Sequence, residues 1–392
     1  MGRFRILTLN NIAPAGLARL PAERFETGSA LSDPHAILLR SADLNDLPVP
    51  PSLLAVGRAG AGVNNIPLQK MSELGIPVFN APGANANAVK ELVLAAMLLG
   101  CRNICQAWHY TEQLSESGEA LARAVEAGKK QFSGFELPGR TLGVVGLGAI
   151  GVRVANAALA LGMKVIGFDP AITVQRAWEL DAQVEQAQSV NDVLNHADCV
   201  TFHVPLIDAT RNLINAERLA AMKDNVVIIN FARQGIVDDE AVLAGLDSGK
   251  VWSYVCDFPS PQLIAHPRAI SLPHLGASTA EAEENCAVMV AGQVRDYLEN
   301  GVVRNSVNFP QITLPRSGQS RIVIANRNQP DMLGQISHAI GSSGLNICHM
   351  QNESRGDLAY TVVDLEQTVP ETCSAALRRI DGVLRVRTID GT

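Results

Sequence analysis

Thr141-Leu-Gly-Val-Val-Gly-Leu-Gly-Ala-Ile-Gly151 runs from a short β-rich segment straight into a GxGxxG turn, and the residues that follow keep the pattern. A helical stretch, Val152 to Leu161, ends at Gly162, and a second β-rich segment, Lys164-Val-Ile-Gly-Phe-Asp169, closes on an acid 18 residues after Gly151. Strand, glycine turn, helix, strand and acid in this register form a dinucleotide-binding fingerprint. Gly146 permits the tight turn, Gly148 lets the backbone approach a pyrophosphate at the helix N-terminus, and Gly151 lets helix and strand pack closely. Gly146, Gly148, Ala149, Ile150 and Gly151 are therefore candidate cofactor contacts. Asp169 is placed to take the ribose hydroxyls and to repel a 2′-phosphate, and its neighbours Phe168 and Pro170 supply no cation. The expected cofactor is NAD, not NADP.

With 392 residues, 47% of them hydrophobic and 18% charged, the chain can bury more than one core, and two or three domains are expected. A net charge of −7, with Lys and Arg not gathered into runs, gives no footprint for nucleic acid. Seven cysteines, at 101, 105, 199, 256, 286, 348 and 373, form no CxxC pair and no Cys/His ligand spacing. Reduced thiols in a cytoplasm are expected, with no metal and no disulfides. Met1 to Asn10 reads as a strand without the marks of a secretion signal, and the longest apolar run, near Leu92 to Gly100, is too short to span a bilayer. No membrane association is expected.

Before the fingerprint, Ala36-Ile-Leu-Leu39, Leu53-Leu-Ala-Val56 and Pro77-Val-Phe79 read as strands separated by helical segments, and a helix with an apolar stripe runs from about Asn87 to Arg102. After Gly151 the alternation of strand and helix persists to about residue 284, with buried strands at Cys199–Phe202, Val226–Ile229 and Ser253–Cys256. Such alternation implies a parallel, doubly wound sheet. A helix from roughly Glu281 to Glu299 leads to Pro310–Ser320, whose Pro, Gly and Ser content marks a linker, and the last 72 residues read as independent.

Three motifs carry chemistry. In Asn230-Phe-Ala-Arg-Gln-Gly-Ile-Val-Asp238 an arginine follows directly on a buried strand, at the carboxyl edge where ligands of such sheets bind, and Arg233 can grip a carboxylate bidentately. Pro273-His-Leu-Gly-Ala-Ser-Thr279 follows the strand Ala269–Leu272 and offers His274, whose side chain can give and take a proton near neutrality. His203-Val-Pro205 after the strand at 199 reads as lining of the cofactor site, with His203, Val204 and Pro205 as contacts and not as acids.

Taken together, these residues resemble the D-isomer-specific 2-hydroxyacid dehydrogenases, and within them the branch that acts on 3-phosphoglycerate in serine biosynthesis. Further carriers of the resemblance are Leu39-Arg-Ser41, Val56-Gly-Arg-Ala-Gly-Ala-Gly-Val-Asn-Asn65 and Asn80-Ala-Pro-Gly-Ala-Asn85, so it covers nearly the whole chain. It implies an α/β architecture of two doubly wound domains: a discontinuous flavodoxin-like substrate domain, residues 1–102 and 285–312, and an inserted Rossmann NAD domain, residues 103–284, with the active site in the cleft between them. It further implies that Arg233 holds the substrate carboxylate and C2 oxygen and that His274 exchanges the C2 hydroxyl proton. Asp257 matches the aspartate near the nicotinamide carboxamide, and Ala232 and Gly276 join the cofactor contacts. Arg40 and Arg58, at predicted strand ends, match positions facing the substrate's phosphate or carboxylate, with Ala61, Gly62 and Asn85 adding hydrogen bonds. The sequence departs from the family where relatives carry Asp-Val-Phe-x-x-Glu-Pro: here Val255-Cys-Asp-Phe-Pro-Ser-Pro261 has no glutamate to pair with His274. Lys90 stands where relatives commonly carry a small residue, and is either an additional active-site cation or an exposed helix lysine.

The C-terminal segment reads strand, helix, strand, strand, helix, strand over residues 319–392, an order that resembles an ACT regulatory domain. Such domains pair across subunits and bind amino acids at the loop after the first strand, here Asn326–Leu333, with Asn328 and Asn346 as candidate contacts. L-serine is the effector the resemblance implies, and a purely oligomerising role is the other reading. The expected activity is NAD-dependent oxidation of 3-phospho-D-glycerate in a homo-dimer or homo-tetramer. A reductase of hydroxypyruvate, glyoxylate or 2-oxoglutarate, and a non-catalytic sensor of NAD(H) and amino acids on the same scaffold, are the alternatives.

Overall fold

The structure, a computed structural model, describes residues 2–391 and divides into two compact units, Met1–Asn85 with Ala280–Thr392, and Ala86–Thr279. In the first unit β1 (Phe4–Leu9), β2 (Phe25–Gly28), β3 (Ala36–Leu39), β4 (Ala55–Arg58) and β5 (Val78–Phe79) form a parallel sheet in the order β2-β1-β3-β4-β5. Ala36-Ile-Leu-Leu39 is buried at every position, as a parallel strand covered on both faces must be. Helix Ala280–Asn300 covers one face, packing Ala287, Val290, Ala291 and Val294 against Ile6, Leu38 and Ala55. The approach is close: a Cβ on Gly57 would lie 2.8 Å from the side chains of both Leu38 and Val290.

In the second unit β6 (Thr141–Val145), β7 (Lys164–Phe168), β8 (Glu185–Gln186), β9 (Cys199–Phe202), β10 (Val226–Asn230), β11 (Val251–Cys256) and β12 (Ala269–Ser271) form a parallel sheet in the order β12-β11-β10-β9-β6-β7-β8. The chain lays down β6 to β8 in one direction and then returns to add β9 on the other side of β6. That reversal leaves the crevice in which open parallel sheets bind ligands, and the glycine turn leaves β6 beside it.

The remaining strands, β13 (Ser320–Arg327), β14 (Ile347–Arg355), β15 (Leu358–Leu365) and β16 (Val383–Asp390), form an antiparallel sheet in the order β14-β15-β13-β16. Helices Met332–Ser342 and Glu371–Arg378 cover one face, where Ile336, Ile340 and Leu377 meet Ile322, Ile324 and Val363. The βαββαβ order is as expected. Among the described residues no helix is long and apolar enough to cross a membrane.

Two expectations are corrected. The chain divides after Asn85 and Thr279, not near 102 and 284, because helix Ala86–Arg102 buries Val93 and Met97 with Val144, Val227 and Ile229 of the second unit. The C-terminal sheet is also not independent. Val323, Ala325, Tyr360 and Val362, on the face away from its helices, share one core with Tyr297, Leu298 and Phe309. Successive residues of a strand face opposite sides, and β13 is apolar on both, so it has no face to offer water. Fully buried Arg321 fastens the segment expected to be a linker: it pairs with Asp364 through two bonds of 2.6 and 2.8 Å and donates to the carbonyls of Asn300, Leu314 and Pro315.

Candidate active site

The three fingerprint glycines do different things. Gly146 has φ 95°, and a Cβ there would lie 2.6 Å from the carbonyl oxygen of His203. A Cβ on Gly151 would lie only 1.9 Å from the carbonyl oxygen of Gly146, whereas one on Gly148 would meet nothing within 4 Å. Two glycines thus close the turn on itself and the middle one leaves its surface open. Asp169, just past β7, accepts the N–H of Leu147 through one oxygen and that of Ala171 through the other, each at 2.9 Å, so its carboxylate is held at the turn. Leu147, Phe168, Asp169, Pro170 and Ile172 line an open cavity of about 420 Å³ beside it. Val204 lies against Gly146, and desolvation lowers the His203 pKa to about 3, which keeps that ring neutral as a lining group.

The chemistry-bearing side chains of this unit sit at strand ends. Arg233 is exposed after β10, in a turn stapled by Asn230, whose Nδ2 donates to the Arg233 carbonyl at 3.0 Å while its Oδ1 accepts the N–H of Ala232. His274 is exposed, with φ 26°, in the sparsely populated left-handed region for a side-chain-bearing residue. Asp257 holds it there: the Asp257 carbonyl accepts the His274 N–H at 3.1 Å and its Oδ2 accepts the N–H of Gly276 at 3.2 Å. Burial pushes the Asp257 carboxyl up, against the Gly276 hydrogen bond and the charges of His274 and Arg233, which pull it down. Its Oδ1 is buried without a protein partner. The ring of Phe258 packs 5.0 Å from that of His274, beside the stretch that lacks the family glutamate. Lys90, on helix Ala86–Arg102, is 21% exposed with its ammonium 3.6 Å from Glu91, and the adjacent Val89 lies against Gly276.

The second group of expected residues lies in the first unit. Arg40 follows directly on β3 and Arg58 ends the neighbouring β4, and Arg58 Nε donates to the Arg40 carbonyl at 3.1 Å. The Arg58 guanidinium folds over its own turn, so that a Cβ on Gly60 would meet Nη1 at 2.3 Å. Asn80 donates to the Ala61 carbonyl and fixes the turn that carries Ala61 and Gly62, while Asn85 is half-buried just ahead of helix Ala86–Arg102. Arg40 also forms an ion pair with Glu283, 2.6 Å away, which sequence reading missed because the two stand far apart along the chain.

The family model "D-isomer specific 2-hydroxyacid dehydrogenase, NAD binding domain" matches residues 94–276. D-3-phosphoglycerate dehydrogenase of Haemophilus influenzae is 33% identical over 380 residues, which cover 93% of this chain and 88% of that protein. The chain belongs to the D-isomer-specific 2-hydroxyacid dehydrogenases. The protein of the same name from Escherichia coli K12 is 31% identical over 375 residues, 91% of this chain and 87% of that one. Among solved structures, a glyoxylate reductase from Paecilomyes thermophila superposes with a TM-score of 0.63 at 27% identity, over 78% of this chain and 99% of that one.

This D-2-hydroxyacid dehydrogenase is NAD-dependent, and its residues fit the cofactor. The open surface at Gly148 suits a pyrophosphate, Asp169 suits the ribose, and the orphaned Oδ1 of Asp257 is an acceptor that a carboxamide N–H would satisfy. In the C-terminal sheet, Asn328 lines a cavity of about 200 Å³ together with Asn326, Asp331 and Asn352; Asn346 is not among its lining residues. Asn352 was missed in the sequence because it occupies a strand position, whereas Asn326, expected to open the binding loop, is the last but one residue of β13. Thr361, to which Asn352 donates at 2.8 Å, couples them.

Proposed function

We propose that this dehydrogenase oxidises 3-phospho-D-glycerate to 3-phosphohydroxypyruvate, the entry step to L-serine, in a cytoplasmic homo-oligomer. The observation that carries the reading is the locked pair Arg40 and Arg58 at adjacent strand ends, a two-cation receptor that an unphosphorylated acid does not need. The names of the relatives from Haemophilus and Escherichia agree with it. Bound NAD supplies the hydride acceptor. Arg233 grips the substrate carboxylate and polarises the C2 oxygen, His274 removes the C2 hydroxyl proton, and Asp257 holds the histidine loop in its strained conformation. Lys90 adds a cation for the anionic substrate. The cavity at Asn328 takes L-serine, with Asp331 in the left-handed conformation (φ 62°) that glycine more often adopts.

Initial rates of NADH oxidation with 3-phosphohydroxypyruvate, hydroxypyruvate, glyoxylate and 2-oxoglutarate, measured side by side, test the reading. A kcat/KM at least tenfold higher for the phosphorylated acid is the expected result, and serine titrated into the same assay is expected to inhibit. Preference for an unphosphorylated acid overturns the substrate and leaves the family untouched. Absence of turnover with all four, with NADH still bound, points to a sensor.

A further inference from the structure

Glu283 has no part in the function proposed above, yet it holds one of the two phosphate-binding cations. It lies in the first turn of helix Ala280–Asn300, 2.6 Å from Arg40 Nη1, with Arg40 36% and Glu283 42% exposed. The backbone of Arg40 is pinned by other groups. Arg58 Nε and Asn65 Nδ2 both donate to its carbonyl, at 3.1 and 3.3 Å, and Asn10 Oδ1 accepts the N–H of Ser41 at 3.1 Å. With the strand end fixed by three side chains, the ion pair is not needed to place Arg40. What it decides is which anion the guanidinium holds. Cys286, one turn further along the helix, is near enough to Arg58, Arg40 and Glu283 for all three charges to act on its thiol, so this carboxylate shares the surroundings of both cations.

We propose that Glu283 is a specificity-determining residue, a built-in carboxylate that occupies Arg40 until the phosphate of the substrate displaces it. The inference rests on the reading of Arg40 as a phosphate ligand. A phosphate monoester carries about −1.5 to −2 charge at neutral pH and three acceptor oxygens, so it displaces a single carboxylate. A hydroxyl in the same place gains nothing by breaking the pair, and a substrate carboxylate only exchanges like for like. The ion pair thereby subtracts its own strength from the binding of the phosphorylated acid alone, leaves unphosphorylated acids untouched, and sets how far the first leads the second by narrowing that lead.

Kinetics of the full-length wild type and Glu283→Gln, with Glu284→Gln as the control for charge on the same helix turn, test this. In Glu283→Gln the KM for 3-phosphohydroxypyruvate and the competitive Ki of inorganic phosphate are expected to fall roughly three- to fivefold, the weight of one exposed ion pair. The change should sit in KM and not in kcat, the KM for hydroxypyruvate should not move, and Glu284→Gln should match wild type. An unchanged or raised phosphate Ki overturns the inference. If wild type does not prefer the phosphorylated acid, the proposed substrate fails, and the phosphate Ki against whichever acid is reduced still decides the role of Glu283. If no acid is turned over, calorimetric titration of the NADH-bound protein with inorganic phosphate decides that role through its Kd, expected to fall in Glu283→Gln by the same factor.

Discussion

At Gly60 a single methyl group separates folding from substrate binding. Its Cβ would meet the tip of the Arg58 side chain, which can swing away, so Gly60→Ala should fold with an almost unchanged Tm. If Arg58 binds the phosphate as proposed, the displaced guanidinium is lost to the substrate. One charge-assisted hydrogen bond is worth about 1.5–3 kcal/mol, so the KM of the phosphorylated acid should rise about tenfold or more while that of NADH stays put. For His274→Ala a drop in kcat of about 10²–10⁴ is expected, with NADH affinity by fluorescence titration retained. Lys90→Ala should lower kcat/KM at least about tenfold if its ammonium serves the reacting centre, and full turnover in that variant removes Lys90 from the mechanism.

Among the elements, the glycine turn offers a paired experiment. Gly151→Ala drives a Cβ into the backbone oxygen of Gly146, which cannot move aside, and should cost about 1–3 kcal/mol or more in a denaturant midpoint as well as weakening NADH binding. Gly148→Ala meets no protein atom within 4 Å and should melt like wild type while its Kd for NADH rises. Thr141 to Asp169 was legible in the sequence because every device there is local: a short apolar run, glycine punctuation and an acid at fixed spacing. Arg233 and His274 were legible for the same reason, each following directly on an apolar strand. Helices Ile104–Glu112 and Gly118–Gly128 were not read, although Ile104 with Trp108 and Leu121 with Val125 stand at helical spacing; all four side chains are exposed, and of the two helices only Gly128 is buried. Contacts between distant segments, such as Arg40 with Glu283 and β13 with the helix Ala280–Asn300, leave no local trace.

Within the first unit the buried pair of Arg321 and Asp364 ties the C-terminal sheet to the segment that leads into it. Burial alone would raise the Asp364 carboxyl, but the hydrogen bonds and charge of Arg321, with help from Ser317, outweigh it and hold the pKa below its ordinary value. A depressed carboxyl stabilises the fold fully above its unfolded pKa, near 3.9, and loses that contribution as pH falls through the folded value. Urea midpoints should therefore drop between about pH 5 and 3 in the wild type and vary less with pH in Asp364→Asn. At pH 7, Arg321→Leu strands a buried carboxylate and should cost about 3–5 kcal/mol.

The order in which the chain is made bears on the same unit. Ile6, Leu38 and Ala55 leave the ribosome early, but Val290 and Val294, which cover them, follow only after all of residues 86–279. At about 5–20 residues per second, that wait is roughly 10–40 s. The nucleotide-binding unit can finish within it, while the sheet that carries Arg40 and Arg58 stands with one apolar face bare. Nascent-chain chaperones would find their surface there, and slowing translation within residues 86–279 would lengthen their hold.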